Sequence, residues 1–370
     1  MRAPRLFAAF ALAAMLAPGL AAQERRFTTG FEFRAISLDS GFGAKSVRQV
    51  AVPIGVVVPL SRRFLVDVGT YFAQAQRQDF GGASTTISGL TDVQARGVYE
   101  IVPDAVVMTV SANLPTGHAT LEGAELDVAG AIASDLISFP VSNFGAGFSL
   151  TSGLALAMPL GSWAVGLAGS YRLSGEFQPI ADSAGTKYRP GGEARLRFGV
   201  DRLIGQGRLS AGFTYSTFAT DEYGGSGAYR SGGRYIPQVS LNVPLGNNSL
   251  SLYAWDLYRA NGEYIARSSQ ASNTRAPKQN TLAVGAALGL RRGRAILRPA
   301  VEFRKQWEGD STLSDRGGTV LGLTLRYQAP LGTRFTVQPL VRFDIGSVSA
   351  GGTSAGFRGF GAGLSLSTSW

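Results

Sequence analysis

The chain has 370 residues, one histidine and no cysteine. Thiolate metal ligands, thiol nucleophiles and disulfides are therefore excluded, and any imidazole chemistry rests on His118 alone. Around it Thr116, Thr120, Glu122 and Glu125 supply hydroxyls and carboxylates. A hydrolase built on a histidine base needs a nucleophile on one ring nitrogen and an orienting acid or metal on the other. These neighbours do not have that spacing. One imidazole with scattered carboxylates gives a hard cation only a loose seat. The expectation is no enzyme, no cofactor and no metal, with His118 an incidental surface residue. Gly81-Gly82, Gly224-Gly225, Gly232-Gly233 and Gly359-Phe-Gly-Ala-Gly363 lack the flanking strand and helix and the Lys-Ser/Thr of a phosphate loop. They read as loop glycines and barrel kinks.

What remains is a set of single charges at alternate positions. The arginines are Arg34, Arg96, Arg172, Arg195, Arg197, Arg298, Arg304, Arg326 and Arg342, and the carboxylates are Glu32, Asp67, Asp92, Glu100, Asp201, Glu302 and Asp344. Each stands among apolar residues of period two. In 333–345, Phe335, Val337, Pro339, Val341, Phe343 and Ile345 take one face, and Thr336, Gln338, Arg342 and Asp344 take the other. A charge on a lipid face near the midplane costs roughly 2–4 kcal/mol. The charged positions are therefore expected to line the lumen of a membrane barrel.

The elements that would hold them follow from the same alternation. Sixteen strands are expected, at 27–36, 48–58, 63–74, 89–101, 105–114, 145–158, 163–174, 191–203, 208–219, 233–243, 249–259, 280–291, 294–306, 317–328, 333–345 and 357–370, with fourteen as the alternative count. Short turns such as Val102-Pro-Asp104, Met158-Pro-Leu-Gly161, Val243-Pro-Leu-Gly246 and Ala329-Pro-Leu-Gly332 join them at one rim. At the other rim lie longer segments, 37–47, 75–88, 115–144, 175–190, 220–232, 260–279, 307–316 and 346–356. Short turns toward the periplasm and long loops toward the outside are the asymmetry of all-β, up-and-down, antiparallel outer-membrane barrels. Trp163, Tyr171, Tyr215, Tyr253, Trp255, Tyr327 and Trp370 suit interfacial girdles, with some as interior filling.

Within 115–144, the segment 119–137 shifts toward helical period. Leu121, Ala124, Val128 and Ala131 form a stripe, with Thr120 as N-cap. It carries Glu122, Glu125, Asp127 and Asp135 and no base. Two placements stay open: folded inward to narrow a pore, or laid over the outer mouth.

Composition agrees with export to a membrane. Hydrophobic residues make up 45% and charged residues 16%, with 49 glycines, and the apolar residues after the leader are dispersed instead of clustered. Residues 1–22, with Arg2 and Arg5 before an apolar run and the Pro18-Gly19 break, read as a signal peptide. Residues 23–370 form the barrel. The formal net charge is +10, yet no Lys/Arg run exceeds two, so no nucleic-acid partner is expected. The last strand presents Phe360, Ala362, Leu364, Leu366, Thr368 and Trp370 on one face. Phe360, Leu364, Leu366 and Trp370 fit an assembly signal for the barrel-assembly machinery and a face for outer-membrane lipid.

Two stretches carry a resemblance. Ser88-Gly-Leu-Thr-Asp92 opens one strand, and Ala112-Asn-Leu-Pro-Thr-Gly117 closes the next. They are similar to the Gly-hydrophobic-Gly-Asp and Leu-Pro-Thr-Gly stretches of the MetA-pathway of phenol degradation family, related to long-chain fatty acid and aromatic-hydrocarbon channels. The likeness spans about residues 90–175, with Thr91 in place of the family's second glycine. It implies an outer-membrane barrel for passive uptake of small apolar or aromatic compounds and transfers no functional residue. The sequence thus points to a porin-like channel in the cell outer membrane for an unidentified small-molecule solute. A structural or adhesive barrel and an outer-membrane enzyme are the alternatives.

Overall fold

The computed structural model describes residues 25–39, 44–181, 183, 185–266, 272–307, 316–350 and 353–370. The expected signal peptide lies outside the described residues. The strands in chain order are β1 (Arg26–Leu38), β2 (Ala44–Pro59), β3 (Phe64–Asp79), β4 (Ser84–Leu90), β5 (Val93–Val102), β6 (Val106–Leu114), β7 (Ser149–Leu160), β8 (Trp163–Ser174), β9 (Tyr188–Arg189), β10 (Glu193–Ile204) and β11 (Gly207–Phe218). They continue with β12 (Thr220–Tyr223), β13 (Ser226–Arg230), β14 (Arg234–Leu245), β15 (Asn248–Arg259), β16 (Gly262–Tyr264), β17 (Thr274–Ala276), β18 (Gln279–Arg292), β19 (Ala295–Trp307), β20 (Arg316–Leu331), β21 (Phe335–Ala350) and β22 (Thr353–Ser369). One helix, α1 (Gly123–Ile132), lies between β6 and β7.

Every barrel pairing is antiparallel, and β1 pairs with both β2 and β22, which closes the sheet. β4 and β5 both pair with β3 and are one wall position interrupted at Thr91-Asp92, so the barrel has sixteen strand positions, each at an expected place. Closure removes both edges, which a lipid environment demands. On the outside, Leu154, Leu196, Phe213, Leu252, Phe303 and Phe343, from six different strands, are 41–58% exposed. A belt this greasy on a closed barrel meets lipid, and the protein is an outer-membrane β-barrel. Phe360 packs its ring against Phe33 and Phe343 across this face, at centroid distances of 6.4 and 5.4 Å.

At the outer rim the sequence expectations need correction. Segments 75–88 and 346–356, expected as loops, largely continue the strands: β3 runs on to Asp79 and β4 starts at Ser84, while β21 and β22 reach Ala350 and Thr353. Their alternation is reversed above the lipid: the outer face turns polar, while Ala75, Ile87, Ala355 and Phe357 are buried on the inner face. Segments 175–190, 220–232 and 260–279 contribute a second sheet, ordered β17-β16-β13-β12-β9. This canopy is tied by Tyr188, whose hydroxyl donates to Asp221 at 2.5 Å, and by the edge-on ring pair Phe177–Tyr188 at 5.7 Å.

Segment 115–148 turns into the barrel. Val128 and Ile132 of α1 and Leu136, Phe139, Val141 and Phe144 beyond it are buried in one cluster with Ile36, Val47, Ala51, Ala73, Ala75 and Ile87 of the wall. Each large side chain so buried contributes ~1.5–3 kcal/mol, which is ample to hold the strap against one side. Of the two placements open in the sequence, the inward one is realised. The helix is shorter than expected, and its N-cap is Glu122, in a capping box with Glu125. Thr120 donates instead to the carbonyl of Gln178 at 2.7 Å.

Candidate pore constriction

The strap is positioned by a lock at its base. Asp92 is 7% exposed and lies in the break between β4 and β5. One carboxylate oxygen accepts from the Gly117 amide at 2.9 Å, and the other accepts from Ala146 N at 2.8 Å and Asn113 Nδ2 at 2.7 Å. One side chain therefore holds both ends of the strap. Thr116 Oγ1 accepts from Val93 N at 2.9 Å. At Gly117 a Cβ would fall 2.1 Å from the Phe144 carbonyl oxygen and 2.6 Å from Asp92 N, so only glycine fits there. The two stretches singled out in the sequence are thus the two halves of this lock.

Further along, Gln49, 1% exposed, donates to Val141 O at 2.7 Å and accepts from Val141 N at 2.9 Å. It treats the strap as a neighbouring strand. Arg77 pairs with Asp127 at 2.9 Å, and His118 lies 3.5 Å from Glu125. Among the described residues no cluster of three or more His, Asp or Glu could hold a metal.

Where the strap meets the wall, a charged network crosses four strands. Arg34 on β1 pairs with Asp344 on β21 at 3.0 Å, and Arg342 reaches the same carboxylate at 2.8 Å. Glu302 on β19 accepts from Arg304 at 2.8 Å and from the Tyr253 hydroxyl at 2.5 Å. Gly322, between them on β20, leaves room: a Cβ there would lie 2.8 Å from both Arg342 Nη2 and Asp344 Oδ1. The network grips the strap through Arg34 to Ser138 O at 2.9 Å, Arg304 to the Ser138 hydroxyl and Asp135 O, and Arg259 to Asp135 at 3.7 Å.

On the facing wall the register places arginines side by side. Arg172 is opposite Glu193, Arg195 opposite Ser216, Ser216 opposite Arg234, and Arg234 opposite Arg259. Glu193, 4% exposed, serves both Arg172 at 3.4 Å and Arg195 at 2.6 Å. Arg234 stacks over Phe218 at 4.7 Å. The Nε atoms of Arg172, Arg234 and Arg259 are buried without a hydrogen-bond partner. Four arginines thus face two carboxylates, Glu193 and Asp135. A recess of about 460 Å³ is lined by Arg172, Glu193 and Arg195 with Gln94, Asn113 and Thr151.

Comparison with known proteins gives likeness of architecture. No family model matches the chain and no curated protein does. Among solved structures it is similar to OprB of Pseudomonas putida (12% identity, 94% of each chain covered, TM-score 0.49). It is also similar to a mutant of the TodX monoaromatic hydrocarbon channel (13% identity, 95% of this chain and 91% of that one, TM-score 0.46). A third is the anion-selective porin from Comamonas acidovorans (13% identity, 94% and 98%, TM-score 0.41). Such low scores give no residue-to-residue correspondence.

The remaining site candidates fall as follows. Arg96 pairs with Asp67 at 2.8 Å, below the lock. Arg197, Arg298 and Arg326 are exposed on inward positions and have no hydrogen bond or ion pair among the described residues. Tyr253 and Trp255, candidates for the girdle, point inward, because they alternate with the outward Leu252. Arg304 lies over the Trp255 ring at 5.9 Å. Sequence reasoning missed the docking patch for the strap. Its signal was present: Ile36, Val47, Ala51, Ala73 and Ala75 are apolar at positions where the pattern calls for polar inward residues.

Proposed function

We propose that the barrel is a passive outer-membrane channel for small hydrophilic solutes, with a modest preference for anions. The row Arg172, Arg195, Arg234 and Arg259, opposed by only two carboxylates, supports this reading. A solute passing between strap and wall meets an excess of guanidinium charge over carboxylate, and a carboxylate or phosphate is the chemistry that answers it. The resemblance to the phenol-degradation family favours aromatic solutes. The charged lumen favours those that also carry an acid group.

The test is ion flow through refolded protein in a planar bilayer, with an aromatic acid and a neutral sugar of similar size as competing solutes. Steady conductance with a reversal potential on the anion side, reduced more by the aromatic acid than by the sugar, is expected. No conductance at all would favour a structural or adhesive barrel in which the strap closes the lumen.

A further inference from the structure

Below the constriction, the wall between β18 and β21 is built differently from the rest of the lumen. Arg298 and Arg326 stand directly opposite one another on β19 and β20. Both face inward, since Val301 and Leu325 on the alternate positions are 40% and 47% exposed on the lipid side. Both side chains are exposed, and neither makes a hydrogen bond or ion pair among the described residues. Like charges directly across an antiparallel pair oppose folding. At other inward positions an acid relieves the charge, as in Arg96–Asp67 and Arg208–Asp201, and Arg259, opposite Arg234, reaches Asp135 at 3.7 Å.

Here no acid is at hand. Residues 280–301 and 317–343 contain no Asp or Glu. The next inward carboxylate on β19 is Glu302, which is already held by Arg304 and Tyr253. Adjacent inward positions are small or neutral: Ala300 opposite Thr324, and Ala287 opposite Ala300. At the short-turn rim beneath, Arg291, Arg292, Arg294 and Arg334 are exposed and add to the same field. Two free guanidinium forks a strand apart can each offer paired N–H donors to a single tetrahedral oxyanion.

We infer that Arg298 and Arg326 form a binding subsite for a doubly charged oxyanion of the sulfate or phosphate kind at the inner mouth of the barrel. As an exit subsite it rests on the channel reading; as a binding site it does not. An oxyanion bridging the pair replaces the missing acid, and the rim arginines steer it there.

Inorganic sulfate is the probe, titrated into refolded full-length barrel in detergent by calorimetry and added to either side of a planar bilayer at constant ionic strength. Saturable binding is expected in the wild type, weakened about tenfold by Arg298→Gln or Arg326→Gln. Arg197→Gln removes one inward charge from the opposite wall and should leave the affinity unchanged. Sulfate should reduce the current more from the short-turn side. Relief of the like-charge contact should leave the glutamine variants heat-modifiable and no less stable, so loss of binding is not loss of fold. Equal weakening by Arg197→Gln, or no saturable binding in the wild type, overturns the subsite. Binding without conductance would retain the subsite and remove the channel.

Discussion

Asp92 ties three chain segments together, because donors from Asn113, Gly117 and Ala146 converge on its carboxylate. Replacing it by Ala leaves the Gly117 and Ala146 amides without their acceptor, at ~1–3 kcal/mol for each buried donor so exposed. Asp92→Ala is therefore expected to keep the barrel but loosen the strap, seen as noisier, higher single-channel conductance; an unchanged trace would mean the apolar cluster alone holds the strap. Tyr188 in the canopy offers a pH handle outside the membrane. Burial first, and then its hydrogen bond to Asp221, raise the pKa of its phenol above the ordinary value. The folded canopy thus holds the neutral form, and the stabilisation is complete below the unfolded pKa of ~10 and lost as pH rises beyond it. Protease nicking of the canopy should increase above that pH in the wild type. Tyr188→Phe should be nicked somewhat more at neutral pH, by the loss of ~1 kcal/mol, and should lose the pH dependence due to this residue.

At the scale of elements, the strap and the wall it covers are a matched pair. Val128, Ile132, Leu136, Phe139, Val141 and Phe144 cover inward apolar residues that water would otherwise meet. Deleting 123–137 removes Glu125, Asp127 and Asp135, frees Arg259 from Asp135 and leaves Arg77 with Asp79 alone. Larger conductance and stronger anion preference should follow, measured as reversal potential under a salt gradient, with both effects shrinking as salt shortens the screening length. Strong cation selectivity in the deletion variant would contradict the charge arrangement proposed for the lumen. Because the strap lies inside, a protease added to whole cells should not cut it, while a small thiol reagent should still reach Gly123→Cys at its exposed helix start.

For the whole molecule, closure is the decisive interaction. β22 pairs along its length with β1, and Trp370 and Arg25 exchange backbone hydrogen bonds at 3.2 Å in both directions. Removing Trp370, or placing a charge there, takes away this last pair and part of the lipid face. Export should continue while assembly in the outer membrane falls, measured as loss of the heat-modifiable folded species from the membrane fraction. Unimpaired folding of the shortened chain would separate closure from the assembly role proposed for Phe360, Leu364, Leu366 and Trp370.

Local features were legible in the order of residues. Two-residue alternation marks a strand and divides its faces wherever one side must be apolar, so all sixteen wall positions could be placed from neighbours alone. Pro-Leu-Gly marks three of the short turns, at 159–161, 244–246 and 330–332. The pattern failed where the alternation stops having one meaning: above the lipid, where β3, β4, β21 and β22 continue with a polar outer face and an apolar inner one, and inside, where Tyr253 and Trp255 break the rule of polar lumen residues. Only the closed barrel decided the path of the strap. The contacts that fix it, Gln49 with Val141, Asp92 with Gly117 and Ala146, and Arg34 with Ser138, join residues 25 to 104 positions apart. An apolar Ile36 or Val47 on an inward face has a reason only once a cylinder exists with an interior for the strap to enter, and no local pattern carries that information.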